Sequence, residues 1–368
     1  MNKTYDIAAY YWPAYHDEPR WRLFMREGIG EWETIRNAPP KFDGHLQPRV
    51  PEWGYEDESD PKVMEKKIGA AANHGVNVFI FDWYWYENQP FQEDCLNQGF
   101  LGAKNNDQIK FYIMWANHDA PTVWDIERSH KYEVIWPGTV DRATFTIATD
   151  RLIERYFGHP SYYKIDGKPV LSIYELSTLM DGLGGSAPTR EALDDLRKRV
   201  EAAGFPGLHL QAVLWDRIPE SAGNVPGDRT ATQDNTIQAL GFDSLTNYQW
   251  VHLVPPKVPY EVWGKTAIAM WREWIDKFSV PFFPHVSIAW DTNPRYKKLM
   301  DLVTDCTPEL FEDYLRQAME FVNEQKLSPP LITVNAWNEW SEGSYLEPDT
   351  THGMGYLEAV KNAVSAKS

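Results

Sequence analysis

Eight short β-prone runs, alternating with helix-patterned segments, constrain the fold of this chain more than any other feature. The runs are 6–12, 75–84, 109–117, 168–175, 207–215, 242–250, 282–290 and 331–338. Several are apolar on both parities, as in Val76-Asn77-Val78-Phe79-Ile80-Phe81 and Phe111-Tyr112-Ile113-Met114-Trp115. A strand with one wet face alternates apolar and polar residues. A strand covered on both faces need not, and that pattern belongs to parallel sheets flanked by helices. The segments between carry helix signals. Ser59-Asp60-Pro61 is a cap followed by a first-turn proline, and Gly75 ends that helix after His74. Thr189 to Ala203 is amphipathic and stops at Gly204, and Tyr260 to Phe278 is a Trp-rich helical pattern. Thr307-Pro308 opens a helix that runs to Gln325, and Tyr356 to Ala366 is the last.

This alternation predicts an α/β fold, the (β/α)₈ TIM barrel, as one domain over 1–368 with long βα loops. The rival, an open doubly wound sheet, wants a Gly-rich phosphate loop after an early strand. The nearest stretch, Gly182-Leu183-Gly184-Gly185, does not directly follow a strand and reads as a loop. The segment 13–58 is long, as are those after the second, third and fifth runs. In a barrel such loops gather at the C-terminal face, where active sites form. Around Trp263, Trp271 and Trp274 the aromatic surface reads as helix–barrel core rather than a dimer patch.

Composition narrows the function. The 17 Trp, 19 Tyr and 16 Phe are hard to explain by core packing alone, and flat aromatic faces suit the C–H faces of sugar rings. Formal net charge is −17, from 36 basic and 53 acidic residues. A nucleic-acid binder would show a basic stripe, and no such run exists; an anionic membrane surface is disfavoured for the same reason. The expected partner is a carbohydrate. Cys95 and Cys306 lie far apart, match no metal spacing, and read as free core thiols. No stretch approaches the ~20 apolar residues of a membrane span. Met1 to Asp6 lack the apolar run of a signal peptide, so the chain as given is expected in the cytoplasm, and a trimmed one in the periplasm or outside the cell.

The strongest chemical signal is Trp337-Asn338-Glu339-Trp340-Ser341-Glu342-Gly343 at the end of the eighth run. Glycoside chemistry needs one carboxyl to protonate the leaving oxygen and another to assist attack at the sugar carbon. Apolar walls and a neighbouring charge separate two such pKa values. Residues i and i+3 of an extended chain point to opposite faces. Both glutamates therefore reach one substrate only if the chain turns after Trp340, which Gly343 permits. Glu339 and Glu342 are the catalytic candidates, with Asn338 and Trp340 beside them as substrate contacts.

Other strand ends repeat the pairing of aromatic and polar groups. They supply Tyr11 and Trp12 from the first, Asp82, Trp83 and Trp85 from the second, and Trp115, Asn117 and His118 from the third. The sixth supplies Tyr248, the seventh Trp290 and Asp291, and the first loop adds His45. An apolar platform with a few polar groups is what a sugar site requires. No HxH, HExxH or EF-hand spacing exists, so no metal is expected. A G-x-S-x-G nucleophile elbow is also absent.

With these residues in hand, the chain resembles the glycosyltransferase WbsX-type proteins, which belong with glycoside hydrolase family 99. The matching pieces are Ala9-Tyr10-Tyr11-Trp12-Pro13, Gly28-Ile29-Gly30-Glu31-Trp32, Gly44-His45-Leu46-Gln47-Pro48-Arg49 and Asp60-Pro61-Lys62-Val63-Met64. Further on, Trp115-Ala116-Asn117, Trp290-Asp291-Thr292-Asn293-Pro294-Arg295 and the Glu339/Glu342 segment match in order and spacing. The resemblance implies a (β/α)₈ barrel, no cofactor, and a retaining endo-acting mannosidase chemistry. In it one carboxylate deprotonates the sugar 2-hydroxyl, which attacks to give a 1,2-anhydro sugar, while a second acts as acid and then base. By motif, Glu339 takes the first role and Glu342 the second, and Tyr11 and Tyr248 fall where that family has site tyrosines. The third strand end, Trp115-Ala116-Asn117-His118-Asp119, departs from the family's usual Asn-Glu-Asn-Trp after the alanine, so mannose specificity is not carried over. The residues favour a glycoside hydrolase over a surface-polysaccharide glycosyltransferase, whose usual fold and Asp-x-Asp are absent, and over a silent binding barrel.

Overall fold

The computed structural model describes residues 4–24, 30–214 and 233–365. Among them, eight parallel strands form a nearly closed barrel: β1 (Asp6–Tyr11), β2 (Val78–Tyr86), β3 (Lys110–Trp115), β4 (Lys168–Ile173), β5 (His209–Val213), β6 (Ser244–Thr246), β7 (His285–Ser287) and β8 (Leu331–Asn335). Their order runs β6-β5-β4-β3-β2-β1-β8-β7, and a parallel bridge between Leu245 and Phe282 closes the remaining gap. Each strand lies inside one of the runs expected from sequence except β2, which continues past 84 to Tyr86. Position 215, Gly28, Ile29 and Ala366, which the sequence reading also used, lie outside the described residues.

The helices follow from their ends. Asp60 accepts from the Lys62 amide at 2.9 Å and Pro61 opens α1 (Pro61–Asn73), with Gly75 at φ +88° just beyond it. The next connections are a helical turn, α2 (Cys95–Phe100), then α3 (Arg142–Leu152) and α4 (Ser186–Ala202). They are followed by α5 (Gln233–Leu240), α6 (Tyr260–Lys277), α7 (Pro308–Glu324) and α8 (Gly355–Ser365). The Gly182–Gly185 stretch is not simply a loop. Gly182 sits in a short helix, Leu176–Leu183, so close to Val140 that a Cβ would fall 2.5 Å from that carbonyl oxygen, and Gly184 is the left-handed cap. Trp263, Trp271 and Trp274 on α6 are buried, the last two packing edge-on to Phe321 and Phe282. Cys95 is buried and Cys306 half-buried, both free. Among the described residues no helix is long and apolar enough to cross a membrane.

Register decides which side chains enter the barrel. Ala8 and Tyr10 pair with Val78 and Ile80, and Ile80 with Tyr112. Tyr10 Oη donates to the Asn247 carbonyl at 2.9 Å and Tyr112 Oη to Gln211 at 3.1 Å, so this parity points inward. The interior is polar and partly hydrogen-bonded: His285 contacts Thr333 Oγ1 at 2.9 Å, which meets Thr246 Oγ1 at 2.8 Å, while Ser172 Oγ and Gln211 Nε2 are buried without a partner. The opposite parity, including Tyr11, Phe81 and Ile113, faces the helices.

Candidate active site

Glu339 and Glu342 share one cavity, and the local backbone explains how. Asn338–Glu339 pairs antiparallel with Ser344–Tyr345, and Trp340–Glu342 between them forms a 3₁₀ turn. Three residues per turn place positions i and i+3 on one face. The chain turns at Trp340 itself, one residue earlier than the sequence suggests, and Gly343 at φ +66° completes the reversal. A side chain at Gly343 would crowd Arg49 and Asp291, each 3.1 Å from a Cβ placed there.

The cavity has a volume of about 470 Å³. Its polar walls are Asp82, Asp119, Glu175, Glu339, Glu342 and Arg295, and its aromatic walls include Trp12, Tyr84, Trp124, Tyr174 and Tyr248, with His118 at the side. Arg295 is the organising cation. Its Nε donates to Glu31 Oε1 at 2.9 Å and its Nη1 to Glu342 Oε1 at 2.8 Å, while Nη2 lies 3.7 Å from Glu339 Oε2. Glu31 is further held by the Trp12 indole at 2.9 Å and the Ser341 hydroxyl at 2.8 Å. Tyr248 Oη stands 2.8 Å from Glu339 Oε1 and 2.9 Å from Asp82 Oδ2. Asp82 Oδ1, Glu339 Oε2 and Glu342 Oε2 are buried with no hydrogen-bond partner, oxygens available to a ligand's hydroxyls.

Electrostatics push these carboxyls toward the neutral form. Burial raises Glu339 well above the usual carboxylate range, with Glu342 and Asp82 adding to the rise and Arg295 opposing it. Burial raises Asp82 in the same way, opposed by the Tyr248 hydrogen bond and helped by the charge of Glu342. Glu342 is raised by burial and by Glu31, against the pull of Arg295. One arginine cannot neutralise several desolvated carboxylates, so protonation takes up the remainder.

Of the residues picked from sequence, Trp12, Asp82, His118, Tyr248, Glu339 and Glu342 line this cavity. Others are elsewhere, for reasons of parity. Tyr11 faces α1, its hydroxyl 3.2 Å from Met64 Sδ and its ring stacked on Phe81. Trp83 and Trp115 share the outward parity: Trp83 donates to Glu93 at 2.8 Å, and Trp115 stacks on Phe145. Trp85 is buried against Trp83. Asn117 is spent on the Glu175 backbone, accepting from its amide at 2.9 Å and donating to its carbonyl at 2.7 Å.

Asn338 clamps the ends of β1 and β8, accepting from the Trp12 amide and donating to its carbonyl, both at 2.8 Å. Trp340 donates to Glu347 at 2.8 Å and stacks on Tyr345. Asp291 is fully engaged: Gln47 donates to it at 2.8 Å, His45 lies at 3.0 Å and Asn293 donates at 2.8 Å. These partners and Arg49 hold it well below the usual range despite burial. Its amide donates to the Glu342 carbonyl at 2.7 Å, so it positions the glutamate turn. His45 and Asp291 line a neighbouring cavity of about 340 Å³. Trp290 lines a third, of about 300 Å³, that shares Glu342 and Arg295 with the main one.

Sequence reasoning does not assign Tyr84, Trp124, Tyr174, Glu31 or Arg295 to the site. Tyr84 was recoverable from parity, being two residues from Asp82, and Arg295 ends a motif already noted. Trp124 carries no signal at its own position. Among the described residues no three His, Cys, Asp or Glu side chains group in a way suited to a metal ion.

Comparison with known proteins agrees with this architecture. WxcX of Xanthomonas campestris pv. campestris, an uncharacterized protein, is 25% identical over 98% of this chain and 49% of its own length. The glycoprotein endo-α-1,2-mannosidase of Mus musculus is 20% identical over 84% of this chain and 59% of its own. The chain thus spans about half the length of the first of these relatives. Among solved structures, the GH99 endo-α-mannosidase of Bacteroides thetaiotaomicron superposes with a TM-score of 0.60 at 15% identity, covering 97% of this chain and 96% of that one. A glycoside hydrolase-like protein gives 0.63 at 14%, covering 100% and 95%. These structures share the barrel fold. A model of the family described as glycosyltransferase WbsX matches residues 7–360, and the chain belongs to that family.

Proposed function

We propose that the chain is a retaining glycoside hydrolase of a poly- or oligosaccharide, working with Glu339 and Glu342 through a 1,2-anhydro sugar. The observation that carries this reading is the convergence of both glutamates on one aromatic-walled cavity, each with a buried oxygen lacking a partner. In the first step Glu339 takes the 2-hydroxyl proton and O2 attacks the anomeric carbon, while Glu342 gives its proton to the departing oxygen. In the second, Glu342 takes a proton from water, water opens the three-membered ring, and Glu339 returns its proton to O2. Two inversions give net retention. Internal cleavage of α-mannoside-like linkages is the first activity to try, since the endo-α-mannosidases are relatives in sequence.

A second reading, glycosyl transfer in bacterial surface-polysaccharide synthesis, is favoured by the family's description. The cavity speaks against a sugar-nucleotide donor. A diphosphate needs cations or amide cradles, and Arg295 faces five acidic side chains here. A panel of α-mannans, other microbial polysaccharides and sugar nucleotides separates the readings. Cleavage with an initially retained anomer, followed by NMR, supports the hydrolase. Sugar-nucleotide binding without cleavage of any polysaccharide supports the transferase.

A further inference from the structure

Tyr248 makes two short contacts with one hydroxyl, to Asp82 Oδ2 at 2.9 Å and to Glu339 Oε1 at 2.8 Å. A phenol has one proton to donate. Were both carboxyls ionised, one contact would oppose two sets of lone pairs in a buried site. Two short contacts on one phenol oxygen are met by a second proton on one of the two carboxyls, which then donates to that oxygen. The phenol keeps its own proton, because burial and both acids push Tyr248 well above the usual tyrosine range.

The surroundings differ at the two ends. Asp82 has no ion-pair partner within hydrogen-bonding reach among the described residues, and its Oδ1 is buried without a partner. It faces Glu342 and the phenols of Tyr10, Tyr84 and Tyr174, which burial keeps neutral. Glu339 has Arg295 at 3.7 Å, against Glu342 and Glu31. His118 and His252 near the phenol rings are shifted toward the neutral form by burial. A buried carboxylate lacking a cation is the costlier of the two to ionise.

We propose that Asp82 is a positioning acid that holds the second proton at neutral pH, donating to Tyr248, which donates to Glu339 and leaves that carboxylate ionised. A concerted shift along the chain would reverse this: the Asp82 O–H breaks as a new phenol O–H forms, and the phenol's former proton passes to Glu339. Asp82 thereby sets how much of the protein carries Glu339 in its basic form. The consequence for catalysis rests on the hydrolase reading, but the proton's location does not.

Infrared difference spectroscopy on the full chain at pH 7, without substrate, tests it. Wild type minus Asp82→Asn is expected to show loss of a neutral carboxyl C=O band, and wild type minus Glu339→Gln loss of ionised carboxylate bands. The reverse assignment overturns the proposal. If Asp82→Asn does not fold, wild type and Tyr248→Phe carrying ¹³C-carboxyl aspartate serve instead. A neutral aspartate band that shifts in Tyr248→Phe supports the proposal; no such band, or one that does not shift, overturns it. Failure of every polysaccharide to be cleaved would sink the hydrolase reading and leave these bands unaffected.

Discussion

Glu339 ends a two-residue strand and Glu342 ends the 3₁₀ turn that follows, so carboxylates three positions apart lie on one wall of one cavity. The turn is held from outside by the Asp291 amide on the Glu342 carbonyl and by the Ser341 hydroxyl on Glu31. Their separation in sequence is thus converted into a shared site by the backbone turn and the contacts that hold it.

Arg295 ties this arrangement together, and its removal should be severe. Arg295→Met leaves Glu31 and Glu342 buried without their cation, and breaking a buried ionic cluster from one side costs about 3–5 kcal/mol. Denaturant unfolding of the variant should show a loss of that order, smaller if the freed carboxyls take up protons. Arg295→Lys keeps the charge but not the fork that reaches Glu31 and Glu342 together, and should fall between. A loss within experimental error for Arg295→Met would contradict the network.

The acid limb of activity should lie above the ordinary carboxylate range. The base must be ionised, and Glu339 is raised chiefly by burial, so turnover is lost as pH falls through this raised value. Because Glu339 and Asp82 share a proton, the limb belongs to the pair. A kcat/KM profile that stays flat down to about pH 4 would rule out this assignment.

Asp291 should stabilise the fold in its ionised form, its pKa being shifted the opposite way to that of Glu339. Its folded pKa is depressed by His45, Arg49, Asn293 and Gln47, so its contribution is fully present above the unfolded value of about 3.9 and is lost as pH falls toward the folded one. Asp291→Asn should cost about 2–3 kcal/mol at pH 7. The gap to wild type should narrow on acidification below about pH 4. Urea melts at several pH values give the result; a gap independent of pH would count against it.

Tyr11 and Tyr84 offer a clean contrast between the two faces of the sheet. Tyr11→Phe removes a hydroxyl that meets Met64 Sδ, outside the cavity, and should leave substrate KM unchanged at a stability cost of about 1 kcal/mol or less. Tyr84→Ala removes a cavity wall and should raise KM several-fold. Equal effects of the two on KM would argue against the assigned parity.

The sequence was most informative where one period dominates. Apolar runs such as Val78 to Phe81 and caps such as Asp60-Pro61 foretell the barrel, because strands buried on both faces and proline-started helices leave few alternatives. The glutamate pair was legible because motif and strand end coincide. What misled was treating strand ends as undivided clusters. Tyr11, Trp83 and Trp115 differ from Tyr10, Asp82 and Met114 by one position, and in a strand one position exchanges barrel interior for helix contact. Asp291, His45 and Asn338 look like ligand contacts by residue type, yet the protein's own loops occupy their polar atoms. Trp124 reaches the cavity by tertiary packing within a loop, which no local pattern encodes.

The most direct measurement compares wild type with Glu342→Gln on a polysaccharide that the wild type cleaves, following product release and, by calorimetry, binding. The account predicts that the variant binds with affinity near wild type and cleaves at least 100-fold more slowly, the lower end of what a positioned general acid contributes. A Glu342→Gln protein that retains full cleavage would contradict the central claim.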